Sequence, residues 1–307
     1  MSGSVLYDAP GPRAIARNRI LGVLTIIVVA AILGWVIWRF AASGQFTAEK
    51  WQIFSYGTIW LQFVEAAGRT LAAFAAAAVG AVVLGLVLAI GSLSDHAWIR
   101  VPVGAVVELL RAVPVLVFMM LLYYGLPVVG IKMPTYWAVV IALVAYNGSV
   151  LAEVIRGGVQ ALPRGQSEAG YALGLRKAGV LRLVLLPQAV RAMLPVIIAQ
   201  LVVTLKDTAL GFIITYPELL FLVKQLGSNA PYGSPLIPSA IVGGAIYVVL
   251  CLALSYVAFV AERATRRSPR TPSLEPEGDA EPATATETIA AQRGLGKFDG
   301  TAGGAAG

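Results

Sequence analysis

The chain has 307 residues, of which 58% are apolar and only 13% charged, and its mean hydropathy is +0.79. An ordinary soluble domain is about half apolar and about a quarter charged, so a water-soluble globular protein is excluded. The net charge of +7 rests on Lys and Arg concentrated in short connections between apolar stretches, a pattern that membrane orientation produces and that argues against a nucleic-acid partner.

Six apolar stretches predict membrane-crossing helices at 20–41, 66–91, 105–127, 136–156, 194–215 and 236–260. Each has roughly the 20 residues that a helix rising about 1.5 Å per residue needs to cross about 30 Å of hydrocarbon. Unpaired backbone groups are too costly in lipid, so the expected fold class is all-α: a polytopic membrane protein with about six transmembrane helices. Residues 1–19 form a basic amino-terminal tail with Arg13, Arg17 and Arg19. The first span resembles a signal peptide at its start, but it ends in Trp35, Trp38, Arg39 and Phe40 instead of a small-residue cleavage site, and is expected to stay as an extra first helix.

Residues 47–65 set Trp51, Phe54, Trp60 and Phe63 among polar positions, which suits an interfacial helix or an ordinary loop. The second span is rich in small residues, with Ala72, Ala76 and Gly80 on one ridge and Ala77, Ala81 and Gly85 on the next, so neighbouring backbones can approach closely. Pro114 in the third span and Pro195 at the start of the fifth are expected to shape helix ends or kinks. Cys251, the only cysteine, can form no intrachain disulfide and reads as a small apolar residue. His96 has no second histidine or cysteine near it in the sequence, so no metal site is expected. The segment 263–307 is rich in Pro, Thr, Ala, Glu and Gly from Ser268 onward and is expected to be a disordered cytoplasmic tail.

Orientation follows from the loops. With the amino terminus inside, segments 1–19, 92–104, 157–193 and 261–270 hold 13 Lys and Arg, against three outside, Lys50, Lys132 and Lys224. Basic residues are retained on the cytoplasmic side, so both termini are expected there.

The inside loop 157–193, GGVQALPRGQSEAGYALGLRKAGVLRLVLLPQAVRAM, is long for a connection between spans. Pro163 is placed to start a helix, Ala172, Leu173 and Leu175 supply apolar surface, and Gly174 permits a sharp turn. A short exposed helix followed by a reversal is the predicted shape, and its apolar side calls for a partner surface or the membrane interface. Within it, Glu168, Ala169, Gly170, Gly174, Val184, Leu186 and Pro187 match a spaced signature, EAA, three residues, G, nine residues, I, one residue, LP, with Gly170 and Val184 as mild departures. This signature resembles the loop of binding-protein-dependent ABC importer permeases. The resemblance extends over about residues 57–262, where ELLRAVPVLV at 108–117, AYNGSVLAEVIRGGVQALPRGQ at 145–166 and LKDTALGFIITYPEL at 205–219 are similar to the polar amino-acid branch. The opening MSGSVLYDAPGP is similar to the start of glutamate-uptake permeases.

The resemblance implies a type I permease fold over 66–262 and a coupling loop at 157–193. It also implies two membrane subunits, two cytoplasmic ATPases and an outer solute-binding protein, with a related paralogue as the second permease. Glu168, Ala169, Gly170, Gly174, Leu186 and Pro187 would then seat the loop in the ATPase. The cargo implied is an amino acid, with glutamate first and aspartate or glutamine next. The chain has no GxxxxGK[ST] loop, so no cofactor is expected on it; ATP and Mg would be used by the partner ATPase.

Ionisable residues inside spans default to functional hypotheses. Lys206 and Asp207 are adjacent in the fifth span, so they point about 100° apart on a helix. Lys206 or Asp207, with Thr208 and Asn147, is expected to line the substrate path, the alternatives being an internal salt bridge or a contact between subunits. Glu153 with Arg156, and Glu108 with Arg111, share an i,i+3 spacing that suits structural ion pairs. A secondary transporter or channel also suits an intramembrane charged pair, but it leaves the loop unexplained and no inverted repeats are evident. A membrane enzyme lacks any HExxH, GxSxG or cysteine and histidine pairing to carry chemistry.

Overall fold

The structure, a computed structural model, describes residues 11–265 of the chain. Most of the predicted tail 263–307 and the first part of 1–19 lie outside the described residues. Among those described, five helices are long and apolar enough to cross a membrane, or six when one sharply bent pair is counted as a span.

The first, α1 (Pro12–Ala42), begins with Pro at its first position, where the missing N–H costs nothing. None of its most apolar window is buried against the rest of the chain. A short α2 (Ala48–Trp51) and a 3₁₀ turn (Gln52–Ser55) follow, and α3 (Gly57–Ser92) then starts well before residue 66. The 47–65 segment is therefore not one interfacial element: its second half belongs to the second span. Ile53 and Phe63 are buried together there, which ties the 3₁₀ turn to the start of α3.

The predicted third span, 105–127, is not one helix. It is broken into α4 (Ala97–Ala112) and α5 (Val115–Met120), the latter continuing through a π turn and a 3₁₀ turn to Val129, with a bend of 94° between the halves. Pro114 is the cause: it offers no amide and pushes Val113 out of helical geometry, to φ −84° and ψ 121°.

The core is the pairing of α3 with α6 (Thr135–Gln160). Ala73, Ala77, Ala81 and Ala89 are fully buried along one stripe of α3. A Cβ on Gly85 would stand 2.9 Å from Leu151 Cβ and 3.1 Å from the Gly148 carbonyl oxygen, so the two backbones approach as only small residues allow.

After α6 come α7 (Arg164–Ala172), a single turn α8 (Lys177–Gly179), a π turn (Val180–Leu185) and α9 (Leu186–Asp207). A 3₁₀ turn (Thr208–Ile214) extends α9, so the apolar helical run reaches from Lys177 to Ile214. The second half of the loop 157–193 is thus helical and continuous with the fifth span, and Pro195 lies inside α9 instead of at its start. Thr215, at φ 62°, stops the run. A further helix, α10 (Leu219–Gly227), was not visible as an element in the sequence; it packs on the start of α3 and on α11 (Leu236–Thr265).

Candidate functional site

Two regions carry the polar chemistry. The first is the loop around α7. Pro163 sits at its N-cap, and at its C-terminal end the Gly174 amide donates to Tyr171 O at 2.9 Å while the Leu175 amide donates to Gly170 O at 3.2 Å. This is the Schellman arrangement, and it requires Gly174 to take φ +78°, a conformation costly for any residue with a Cβ. Gly170 faces inward, where a Cβ would meet Val180 Cγ2 at 2.9 Å. The departure from the EAA signature therefore fits the β-branched neighbour that fills the space.

Glu168, Ala169, Tyr171 and Leu173 face outward, Leu173 being 83% exposed. Leu186 instead packs into the cluster built around Leu151 and Ile155, and Pro187 is exposed at the start of α9. The loop is held by Gln188 Nε2 donating to Gln166 Oε1 at 3.2 Å and by an ion pair from Lys177 to Asp95, in the connection between α3 and α4. Of the six loop residues singled out in the sequence, Glu168 and Ala169 form an accessible face, Gly170 and Gly174 shape the turn, and Leu186 anchors it.

The second region is a cavity of about 530 Å³ beneath the break at Pro114. Arg111 and Pro114, Tyr146 and Val150 on α6, and Gln200 and Asp207 on α9 line it. Arg111 lies in the last turn of α4 because Pro114 ends the helix there, and Asp207 is the last residue of α9. Gln200 Nε2 donates to Asn147 Oδ1 at 2.7 Å, and Asn147 Nδ2 donates to Leu143 O at 2.9 Å. Asn147 is fully buried, so it orients Gln200 and does not itself face the cavity.

Of the four residues expected on the substrate path, only Asp207 reaches this space. Thr208 is fully buried, with its hydroxyl donating to Leu205 O at 2.7 Å. Lys206 points the other way, into an apolar groove of about 400 Å³ with Tyr247, Cys251 and Leu252. The 100° between neighbours on a helix separates the two charges onto different faces.

Glu153 and Arg156 form a bidentate pair, with Arg156 Nη2 to Glu153 Oε2 at 2.7 Å and Nε to Oε1 at 3.0 Å. No ion pair forms between Glu108 and Arg111, and the expectation of one is corrected. Arg111 is turned toward the cavity by its place beside the helix break. The sequence reading thus missed Arg111, Tyr146 and Gln200 as cavity residues. A readable signal existed for Gln200, a polar side chain inside an otherwise apolar run.

Between the spans, Tyr216 donates from its hydroxyl to Arg69 O at 2.8 Å, and burial pushes that hydroxyl's pKa up to about 12. Burial also pushes the Glu218 carboxyl above the usual carboxylate range, opposed by hydrogen bonds from the Tyr247 hydroxyl and from the amides of Leu220 and Phe221. Among the described residues, no group of three His, Cys, Asp or Glu is placed to hold a metal ion.

Residues 81–267 match the family described as the binding-protein-dependent transport system inner membrane component. The glutamate transport system permease protein GluD of Corynebacterium glutamicum is 35% identical over 230 residues, covering 74% of this chain and 83% of that protein. The glutamine transport system permease protein GlnP of Escherichia coli is 31% identical, covering 68% of this chain and 97% of that one. The crystal structure of an amino acid ABC transporter with histidines superposes with a TM-score of 0.62 at 31% identity, covering 69% of this chain and 97% of that chain. A structure of the MetNI methionine ABC transporter, at 19% identity and a TM-score of 0.58, shares the fold. The family match covers most of the helical core, including the loop around α7 and the Asp207 side of the cavity: the chain belongs to the binding-protein-dependent inner membrane components, the permease subunits of ABC transporters.

Proposed function

We propose that this chain forms half of the membrane path of an ATP-driven importer of an acidic amino acid, glutamate first, with aspartate and glutamine as the nearest alternatives. The observation that carries the reading is the pair of opposite charges, Arg111 and Asp207, on one cavity of about 530 Å³. An amino acid offers a carboxylate and an ammonium, and a site with one cation and one anion in low dielectric recognises both ends at once. Tyr146 and Gln200 add hydrogen-bonding groups for a polar side chain. The likeness to a glutamate transport permease supports glutamate as the first substrate to test.

In this reading both termini are cytoplasmic, supported by 13 basic residues in the inner segments against three in the outer ones. The outward face of α7, with Glu168 and Ala169, docks on a separate cytoplasmic ATPase, which binds ATP and Mg; this chain holds no cofactor. A second, related permease completes the path in the bilayer, and a solute-binding protein delivers the amino acid from outside. Closure of the ATPase pair moves α7, and the Schellman turn, the Gly170 contact with Val180 and the Gln166 to Gln188 hydrogen bond pass that motion to α9 as a rigid body. The far end of α9 carries Asp207. Docking at one end of the helix is thereby linked to the cavity at the other.

The test is uptake of labelled glutamate by membranes holding the chain with its second permease, its ATPase and its binding protein. ATP-dependent uptake competed by unlabelled glutamate is expected. Failure to take up glutamate, aspartate or glutamine overturns the substrate reading.

A further inference from the structure

Glu218 is fully buried, yet it makes more contacts than a helix cap needs. Its Oε1 accepts from the Phe221 amide at 2.7 Å, and its Oε2 accepts from the Leu220 amide at 2.8 Å and from the Tyr247 hydroxyl at 2.5 Å. The next amide of α10, that of Leu219, donates to Thr70 Oγ1 at 3.3 Å, and Thr70 donates in turn to Ala66 O at 3.0 Å. Capping alone is met by a Ser, Asn or Asp that stays local. A carboxylate taken out of water is costly unless it is fully hydrogen-bonded, so its persistence here points to the link it makes across elements.

That link reaches the end of α9. Tyr247, whose hydroxyl Glu218 holds, lines one groove with Lys206 and Ala209. Lys206 and Ala209 flank Asp207 and Thr208, so the Glu218 to Tyr247 bond, tied to α3 through the Leu219 amide and Thr70, stands behind the residue that faces the cavity. The joint is also tight: Gly243, one turn of α11 before Tyr247, leaves no room for a Cβ against Val223 of α10.

We propose that Glu218 is a positioning residue for transport: by holding Tyr247 against Lys206 and Ala209 it fixes the end of α9 and so sets how Asp207 faces the cavity. The proposal rests on the cavity being the amino-acid site, and its test separates the two. In the assembled complex, Tyr247→Phe removes the hydroxyl that Glu218 holds while keeping the ring, and Glu218→Gln keeps an acceptor for the amides while removing the charge. Each raises KM for uptake by about tenfold with Vmax per assembled complex unchanged, and the double variant is no worse than the single ones, because the two residues act through one bond.

A second arm does not depend on the substrate. With Cys251→Ser as background, Asp207→Cys is labelled by a small thiol reagent in the intact complex, and adding Tyr247→Phe changes the rate by about fivefold or more. A wild-type complex that takes up no amino acid defeats the cavity reading and leaves this arm to decide Glu218. A labelling rate within about twofold of the parent overturns the proposal, as does a loss of uptake that follows the amount of complex with KM unchanged.

Discussion

The loop around α7 and the cavity beside Asp207 are both polar regions on an apolar chain, and they are built by opposite means. The loop is made by neighbours: Pro163, Gly170, Gly174 and Val180 lie within one short stretch and shape it through local hydrogen bonds and one close contact. The cavity gathers residues from α4, α6 and α9, separated by tens of positions in the chain and brought together by a helix break and by packing of α6 on both α4 and α9. A site made of neighbours tolerates no change in its few backbone requirements, whereas a site made of distant residues depends on the helices that deliver them.

The largest effect is expected where the loop meets its partner. Glu168→Lys reverses the charge on the exposed face of α7 and should cut uptake by about a hundredfold, the equivalent of roughly 3 kcal/mol of docking, with loss of ATPase co-purification. If uptake and ATPase association both survive, the docking role is wrong. The next variants separate two neighbours: Asp207→Ala is expected to raise KM by about thirtyfold with assembly intact, because it removes one of the cavity's two charges. Lys206→Ala, facing the apolar groove, should leave KM within about twofold. Equal effects on KM would show that the two charges act as a unit and would undo the division between cavity and groove.

Smaller changes probe how the loop is shaped. Gly170→Ala crowds Val180 and should cost about 1 kcal/mol, read as a lower unfolding temperature in detergent, with Val180→Ala restoring most of it. Asp95→Ala is expected to do least. Its pair with Lys177 is exposed on both sides, and such pairs contribute about 0–1 kcal/mol, so uptake should be nearly unchanged in physiological salt.

The legibility of the sequence follows the same division. Composition and span length revealed the all-helical membrane fold, and the turn at Gly174 could be read because a glycine after apolar helix residues has few other meanings. The break at Pro114 was readable as a kink but not as a bend of 94°, since the angle depends on what α5 packs against. The start of α3 at Gly57 was obscured because aromatic and polar residues alternate there, and burial of Ile53 and Phe63 decides the matter. Asp207 was picked out by its charge inside a span, but Lys206 had the same claim; only the rotation of α9 tells them apart. Arg111 was assigned to Glu108 by spacing, and spacing does not reveal that the helix ends at the next residue, Ala112.

The isolation of α1 has a consequence for variation. A helix that buries none of its most apolar window against its own fold is held to length and hydropathy alone, so most apolar exchanges along it should pass without effect on the core. Ala73, Ala77, Ala81 and Gly85, pressed against α6, have no such freedom, and a library of substitutions across the chain would show a permissive first helix beside an intolerant stripe.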